Sequence, residues 1–297
     1  MKSRRLFKDN LARSIMWFSA IFCILLVILI GFALFQRSRY ILAMKSLADL
    51  FFLDSWHPLK GEFGFFPFIM GTLWVTCTAV IISVPLSFLT AIYLSEYAPR
   101  MIREWAKPAI DLLAGIPSVI YGVWGILVIV PLTKDYIAPF FGRHSSGYTV
   151  FAAGVVLAVM IFPVIIHVSI EVFRSVSFEL REASWALGAT KWQTIKHVVV
   201  RKALPGIIAA NVLGFSRAFG ETMAVLMVAG NVPKAPSSIL DPAYPLPALI
   251  ANNYGEMLSI PLYDSALLMA ALVLFIVVLF FSILSRFALV RVERSSE

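Results

Sequence analysis

Six stretches of the sequence are apolar over about 20 residues or more, the length that a helix needs to cross the hydrocarbon core of a bilayer. They run approximately over residues 14–35, 66–94, 108–130, 148–170, 204–230 and 265–285. Charged residues make up only 14% of the chain, whereas soluble domains carry about 25%. The pattern predicts an all-α membrane protein with six transmembrane helices and argues against a large soluble core.

The basic residues are distributed unevenly between the two sides that six spans would define. With the N-terminus inside, 17 of the 25 lysines and arginines fall in internal segments and 7 in external loops. This asymmetry predicts that both termini face the cytoplasm. The net charge of +8 therefore reports on topology, and nucleic acid is not expected as a partner. The first span lacks a cleavage site of the A-x-A type, so we expect it to be retained.

The loop expected inside at about residues 171–203 does not have the composition of a loop. Ser177 can cap a first short helix, and Glu179 and Glu182 fall in its early turns, where the helix dipole favours acidic side chains. This pattern predicts a helix on the cytoplasmic side.

A second helix is predicted directly after the first. Gly188 suits the left-handed residue that ends a helix, and Thr190 with Gln193 matches a capping box. A helix–glycine–helix unit at this position is either a contact for another protein or an amphipathic surface segment.

The third span carries residues that favour close packing and a bend. Gly115, Gly122 and Gly125 predict the close approach of a neighbouring helix. Pro117 lies within the predicted span and removes a backbone hydrogen bond, so it can kink the helix.

The fifth span alone carries charges near its centre, Arg217 and Glu221. A central arginine costs roughly 2.5–3.5 kcal/mol on insertion scales. The four-residue spacing would place both side chains on one helical face, where they can pair. One interpretation is a structural ion pair, and the other is a polar path for a substrate. A guanidinium presents donors that match an oxyanion, so the second interpretation favours phosphate, sulfate or a similar anion.

The cytoplasmic loop resembles a motif of a known family. Glu182-Ala183-Ser184 followed by Gly188 resembles the EAA---G loop of the permeases of type I ABC importers. In that family the loop forms coupling helices that dock on a cytoplasmic ATPase.

The charged span resembles one branch of that family more closely. The run RAFGETMAVLMVAGN at residues 217–231 is similar to the fifth helix of PstC-type phosphate permeases, and residues 68–99 and 115–122 are similar to the second and third helices. The resemblance covers about residue 65 to the C-terminus. It implies a MetI-like ABC permease fold with cytoplasmic coupling helices, in the inner membrane of a bacterium.

The resemblance also implies partners. They would be a PstA-like second permease subunit, a PstB-like ATPase dimer and a phosphate-binding protein, with phosphate as the substrate. The sequence has no GxxxxGK[ST] loop, so ATP and magnesium are expected on the partner ATPase and no cofactor is expected in this chain.

The resemblance assigns roles to particular residues and regions. The residues expected along the substrate path are Arg217, Glu221 and Thr222. The residues expected to couple to the ATPase are Glu179, Glu182, Ala183, Gly188, Ala189 and Thr190. The expected regions are a tail, first span and external loop at 1–65, a permease core at 66–290 and a cytoplasmic tail at 291–297.

Other functions remain open at this stage. A permease for sulfate or molybdate would use the same chemistry. An integral-membrane transferase would need a cluster of catalytic or metal-binding side chains, but the four histidines, His57, His144, His167 and His197, are scattered along the sequence. No metal site is therefore expected, and a purely structural scaffold does not explain the charges of the fifth span.

Overall fold

The computed structural model describes residues 2–256 and 262–294. Two short strands, β1 (Trp56–His57) and β2 (Glu62–Phe63), pair antiparallel in the loop after the first span. The rest of the regular structure is helical. In chain order the helices are α1 (Lys2–Met44), α2 (Leu47–Phe52), α3 (Phe66–Tyr97), α4 (Arg100–Gly115), α5 (Ser118–Phe140), α6 (Val150–Ser175), α7 (Phe178–Ala186), α8 (Lys191–Phe219), α9 (Met223–Val228), α10 (Leu246–Asn253) and α11 (Tyr263–Arg294).

Six helices of the described ranges are long and apolar enough to cross a membrane, namely α1, α3, α5, α6, α8 and α11. This confirms the predicted number of spans. An even number of crossings places both ends of the chain on the same side. Residues 291–294 of the predicted C-terminal tail continue α11, and residues 295–297 lie outside the described residues.

The third span differs from the prediction. Residues 108–130 do not form one continuous helix, because the chain breaks between α4 and α5. Ile116 and Pro117 are both extended, with ψ of 128° and 141°. Proline cannot donate a backbone hydrogen bond, and it disfavours the helical conformation of the residue before it. The helix of membrane-spanning length begins at Ser118 and continues to Phe140.

The fifth span also differs from the prediction of residues 204–230. Helix α8 begins at Lys191, within the predicted coupling loop, and ends at Phe219. It passes through a π-helical turn at Ile195–Val199 without a break. The second predicted helix of this loop is therefore the first turn of a span.

Helix α6 lies at the centre of the bundle. Its residues are largely buried, whereas the apolar side chains of α1 are mostly exposed. Small residues allow the close approach of its neighbours: a Cβ on Gly154 would lie 2.5 Å from Thr78 of α3, and one on Gly206 of α8 would lie 2.5 Å from Val172. Helices α1 and α11 contact each other at the side of the bundle.

Candidate functional site

A short non-helical segment separates α8 from α9 and contains two of the predicted path residues. Phe219 is the last residue of α8, and Met223 is the first of α9. A carboxylate oxygen of Glu221 accepts a hydrogen bond from the backbone N–H of Ala224 at 3.4 Å. The Thr222 hydroxyl donates to the Gly220 carbonyl at 3.3 Å. Local side chains thus satisfy part of the backbone at the break.

The register between α6 and α8 gives the depth of this segment. The two helices run antiparallel, and a Cβ on Gly214 would lie 2.7 Å from Ile165, just as Gly206 faces Val172. Arg217 follows Gly214 by three residues, or about 4.5 Å along the helix. It therefore lies level with the middle of α6 (Val150–Ser175), roughly halfway across the membrane.

Arg217 projects from a face that the chain leaves open. Its side chain is exposed, whereas Ser216, Ala218 and Phe219 beside it are buried. Glu221 is half-buried. A mid-membrane guanidinium on an open face requires a cavity, a partner subunit or an anion to keep it solvated.

Arg217 and Glu221 do not form the ion pair that their four-residue spacing allows. Neither side chain takes part in the ion pairs found among residues 2–256 and 262–294. The four-residue rule applies to a continuous helix, and α8 ends between the two residues. Both charges are therefore left available to another group.

The packing of α5 and α9 positions the break against the bundle. A Cβ on Gly122 would lie 2.5 Å from the Met227 sulfur and 3.3 Å from the Ala224 Cα. The predicted close packing at Gly122 and Gly125 is confirmed, whereas Gly115 has nothing within 4 Å of a Cβ and the prediction there is wrong.

The start of α5 adds a residue that the sequence reading did not identify. The Arg217 guanidinium is close enough to Tyr121 to act electrostatically on its phenol. The Tyr121 hydroxyl donates to the Leu113 carbonyl at 2.8 Å. No motif marked Tyr121, because its proximity to Arg217 depends on the packing of α9 against α5.

The loop at residues 171–203 has the predicted local structure. Gly188 is left-handed with φ of +81°. The Gln193 side chain accepts from the Thr190 N–H at 2.8 Å, and the Thr190 hydroxyl oxygen accepts from the Gln193 N–H at 3.3 Å. The capping box is therefore confirmed. Ser177 precedes α7 as predicted but makes no capping hydrogen bond through its side chain.

Helix α7 and the turn after it form an exposed surface that includes the predicted coupling residues. Glu179, Glu182, Ala183, Gly188 and Thr190 are exposed, and Ala189 is half-buried. Leu187 at the tip is 89% exposed. Leu180 and Trp185 are exposed as well, and several exposed apolar side chains on one short helix and turn are typical of a surface that contacts another protein.

The other face of α7 makes a contact that sequence reasoning missed. Arg181 donates to Glu96 at the end of α3 at 2.9 Å, and the two side chains are only 12% and 11% exposed. Arg181 also donates to the carbonyl oxygens of Phe173 (3.0 Å) and Val176 at the end of α6. Arg181 and Glu96 are 85 positions apart in the sequence, so no local spacing revealed this pair.

Outside the membrane, a carboxylate orders the loop that covers the start of α6. Burial raises the pKa of Asp241, but hydrogen bonds from Ser237 and Ser238 and the charge of Arg143 outweigh it, so that the pKa is lowered. The Asp241 carbonyl accepts from the Val150 N–H at 2.9 Å. The ionised carboxylate thus holds the loop at the first residue of α6.

Comparison with known proteins identifies the family. Residues 83–294 match the family described as binding-protein-dependent transport system inner membrane component. The chain is 40% identical over 260 residues to the phosphate transport system permease protein PstC of Xylella fastidiosa (strain 9a5c), covering 83% of this chain and 80% of that protein. It is 36% identical over 268 residues to PstC of Haemophilus influenzae (strain ATCC 51907 / DSM 11121 / KW20 / Rd), covering 85% and 84%.

A solved structure supports the same assignment at the level of the fold. An inward-facing form of the MetNI methionine ABC transporter is similar with a TM-score of 0.55 at 20% identity, covering 76% of this chain and 93% of that chain. The predicted MetI-like fold is confirmed. The chain therefore belongs to the family of binding-protein-dependent transport system inner membrane components: it is a multi-pass permease subunit of an ABC importer, which works with an ATPase and a binding protein and is not itself an enzyme.

Proposed function

We propose that this permease subunit imports inorganic phosphate and that Arg217 meets the anion halfway across the membrane. The relatives named PstC support phosphate as the substrate. The observation that carries the role of Arg217 is its position: it is level with the middle of α6, exposed and without an ion-pair partner among the described residues. Inserting an arginine at the centre of a transmembrane helix costs roughly 2.5–3.5 kcal/mol. Binding of the transported anion by the guanidinium explains why the arginine is present despite this cost.

Glu221 adjusts the affinity and the selectivity of this site for the anion. An ionised carboxylate only accepts hydrogen bonds. It can therefore accept a hydrogen bond from an oxyanion that carries a proton, and it repels an oxyanion that carries none. Near neutral pH phosphate retains a proton, whereas sulfate and molybdate do not. The carboxylate therefore favours phosphate over those two anions. It also weakens the attraction of Arg217 enough for release. Thr222 supports this arrangement by its hydrogen bond to Gly220.

The other half of the path comes from a second, PstA-like permease subunit, which packs against the open face that carries Arg217. A periplasmic phosphate-binding protein delivers the anion to the outer side. The chain lies in the inner membrane of a bacterium, with both termini in the cytoplasm as the distribution of basic residues favours.

Coupling occurs at the exposed surface of α7 and the turn at Gly188. This surface docks on a PstB-like ATPase dimer, which carries the ATP and magnesium. Since α8 begins directly after this turn, closure of the ATPases moves α8 and with it the segment around Arg217. Alternate opening of the path to the two sides follows from this rigid-body motion.

The test is uptake of phosphate by the complete transporter reconstituted with its ATPase and binding protein. We expect Arg217→Gln to lose uptake while the complex still assembles. Glu221→Gln should lose it in the same assay. Arg100→Gln is the matched control, because Arg100 is 91% exposed in its side chain and, among the residues that the structure describes, pairs only with Glu104 on the surface of α4.

Normal uptake by Arg217→Gln would remove the pathway role of that side chain. Competition by sulfate or molybdate separates the substrates: if either anion is transported in preference to phosphate, the substrate assignment fails while the pathway role stands.

A further inference from the structure

A cavity of about 110 Å³ lies between α4 and the last turns of α6. Its lining includes three cationic side chains, Arg103 and Lys107 of α4 and Arg174 of α6, together with His167 and Glu171. A water needs on the order of 10–15 Å³ of such space, so the cavity has room for several waters or for one tetrahedral oxyanion.

The charges in the cavity are not balanced by the protein. Among the described residues, Lys107, Arg174 and Glu171 form no ion pair. Arg103 donates only weakly, to the Ala98 carbonyl at 3.3 Å and the Ser95 carbonyl at 3.4 Å. Three cations thus surround one carboxylate, Glu171, and the cavity favours an anion.

His167 forms the inner end of the cavity. Its Nε2 lies 3.0 Å from a carboxylate oxygen of Asp111 on α4. When Asp111 is counted with Glu171, the three cationic side chains still outnumber the carboxylates of the region by three to two. His167 and Arg174 are seven residues apart on α6, about 10 Å along the helix.

The cavity lies at the depth of lipid headgroups. Arg174 is the last residue but one of α6 (Val150–Ser175), and α7 follows directly on the side that carries the coupling loop. Basic pockets between membrane helices on this side are typical sites for anionic lipid headgroups.

A cleft of about 810 Å³ continues from the cavity along α4. The two share Lys107, and the cleft runs past Leu112 and Gly115 to Pro117. Ten residues of chain separate its ends, about 15 Å of helix, and it extends away from the headgroup level. Nothing lies within 4 Å of a Cβ on Gly115, so the cleft is open there.

We propose that the cavity binds the phosphate group of an anionic membrane phospholipid and that the cleft holds one of its acyl chains. Free inorganic phosphate carries the same chemistry and would need only the cavity. The apolar cleft that begins at Lys107 favours the lipid, because a free anion gains nothing from it.

The experiment measures lipid bound to the purified transporter complex by native mass spectrometry. Phosphatidylglycerol is the probe, and phosphatidylcholine is the zwitterionic reference. We expect wild type to prefer phosphatidylglycerol and each of Lys107→Gln and Arg174→Gln to weaken its binding about fivefold. Arg100→Gln, on α4 but outside the cavity lining, should leave it unchanged.

A second variant separates the two sources of phosphate. Gly115→Phe fills the open cleft without touching the cationic residues, so it should weaken phosphatidylglycerol binding. Equal binding by wild type, Lys107→Gln and Arg174→Gln would overturn the proposal. So would displacement of the lipid by millimolar inorganic phosphate with no effect of Gly115→Phe, since the occupant would then be the free anion.

Discussion

Two sets of an arginine and a glutamate can be compared, one almost buried between helix ends and one near mid-membrane, and only the first forms an ion pair. Arg181 lies in the first turn of α7 and Glu96 in the last turn of α3, and the two almost buried side chains are joined at 2.9 Å. Arg217 and Glu221 lie near mid-membrane, only four residues apart, and form no ion pair within the described part of the chain. Spacing in the sequence therefore predicted the wrong pair.

The difference between the two sets reflects the continuity of the helix and the surroundings of each arginine. Arg181 is enclosed by carbonyl oxygens at the end of α6, so its donors are satisfied in the bundle. Removal of one partner from such a pair leaves an unpaired buried charge. Arg217 is exposed at the end of α8, and its donors remain available. The first set joins α7 to α3 and α6, and the second is the set that we propose to meet the anion.

The largest effect is expected on breaking the buried pair. Arg181→Gln or Glu96→Gln should lower the free energy of unfolding by about 3–5 kcal/mol, measured by thermal unfolding of the purified complex. The ratio of ATP hydrolysed to phosphate transported should also rise, because α7 loses its connection to α3 and α6. The exposed pair of α4 is the control: Arg100→Gln should change stability by about 0.5 kcal/mol at most. Equal losses in both pairs would contradict the distinction between them.

A smaller effect is expected at the turn that carries the proposed coupling surface. Gly188 has φ of +81° and nothing within 4 Å of a Cβ, so Gly188→Ala adds only backbone strain of about 1–2 kcal/mol. We expect weaker binding of the ATPase, measured on the reconstituted complex. Gly61 has φ of +71° and the same open surroundings but lies in the loop between α2 and α3. Gly61→Ala should show similar strain and unchanged binding.

Closing the helix break between α8 and α9 should bring Arg217 and Glu221 closer to an ion pair of the kind that Arg181 and Glu96 form. A Cβ on Gly220 would meet its nearest atoms at 3.9 Å, so alanine fits there and favours helix by about 1 kcal/mol. Gly220→Ala should extend α8, bring Glu221 towards Arg217 and reduce phosphate uptake severalfold. Gly115→Ala, at a position with open space, controls for the loss of a glycine. Unchanged uptake in Gly220→Ala would show that the break does not keep the charges apart.

The sequence predicted the number of spans, the capping box at Thr190 and the left-handed Gly188, because these depend on apolar length and local hydrogen bonds. It did not predict the break after Phe219, since the apolar pattern of residues 204–230 continues across it. Nor did it predict the pair of Arg181 with Glu96 or the electrostatic influence of Arg217 on Tyr121. Both interactions depend on how distant helices pack, and the depth of Arg217 depends on the register between α6 and α8.

The smallest effect is expected outside the membrane, at an ion pair of intermediate exposure. Arg143 and Asp241 lie 3.8 Å apart, and the pKa of Asp241 is lowered by its hydrogen bonds. Asp241→Asn should cost at most about 1 kcal/mol at neutral pH. Because the pKa of Asp241 is lowered in the folded state, its carboxylate stabilises the folded protein at any pH above the unfolded-state pKa, near 3.9. This stabilisation is lost as the pH falls through the folded-state pKa. The difference in unfolding temperature between wild type and Asp241→Asn should therefore be full at pH 7 and shrink below about pH 4. A difference that persists at acidic pH would mean that the shape of the loop, and not the charge of Asp241, holds it at the start of α6.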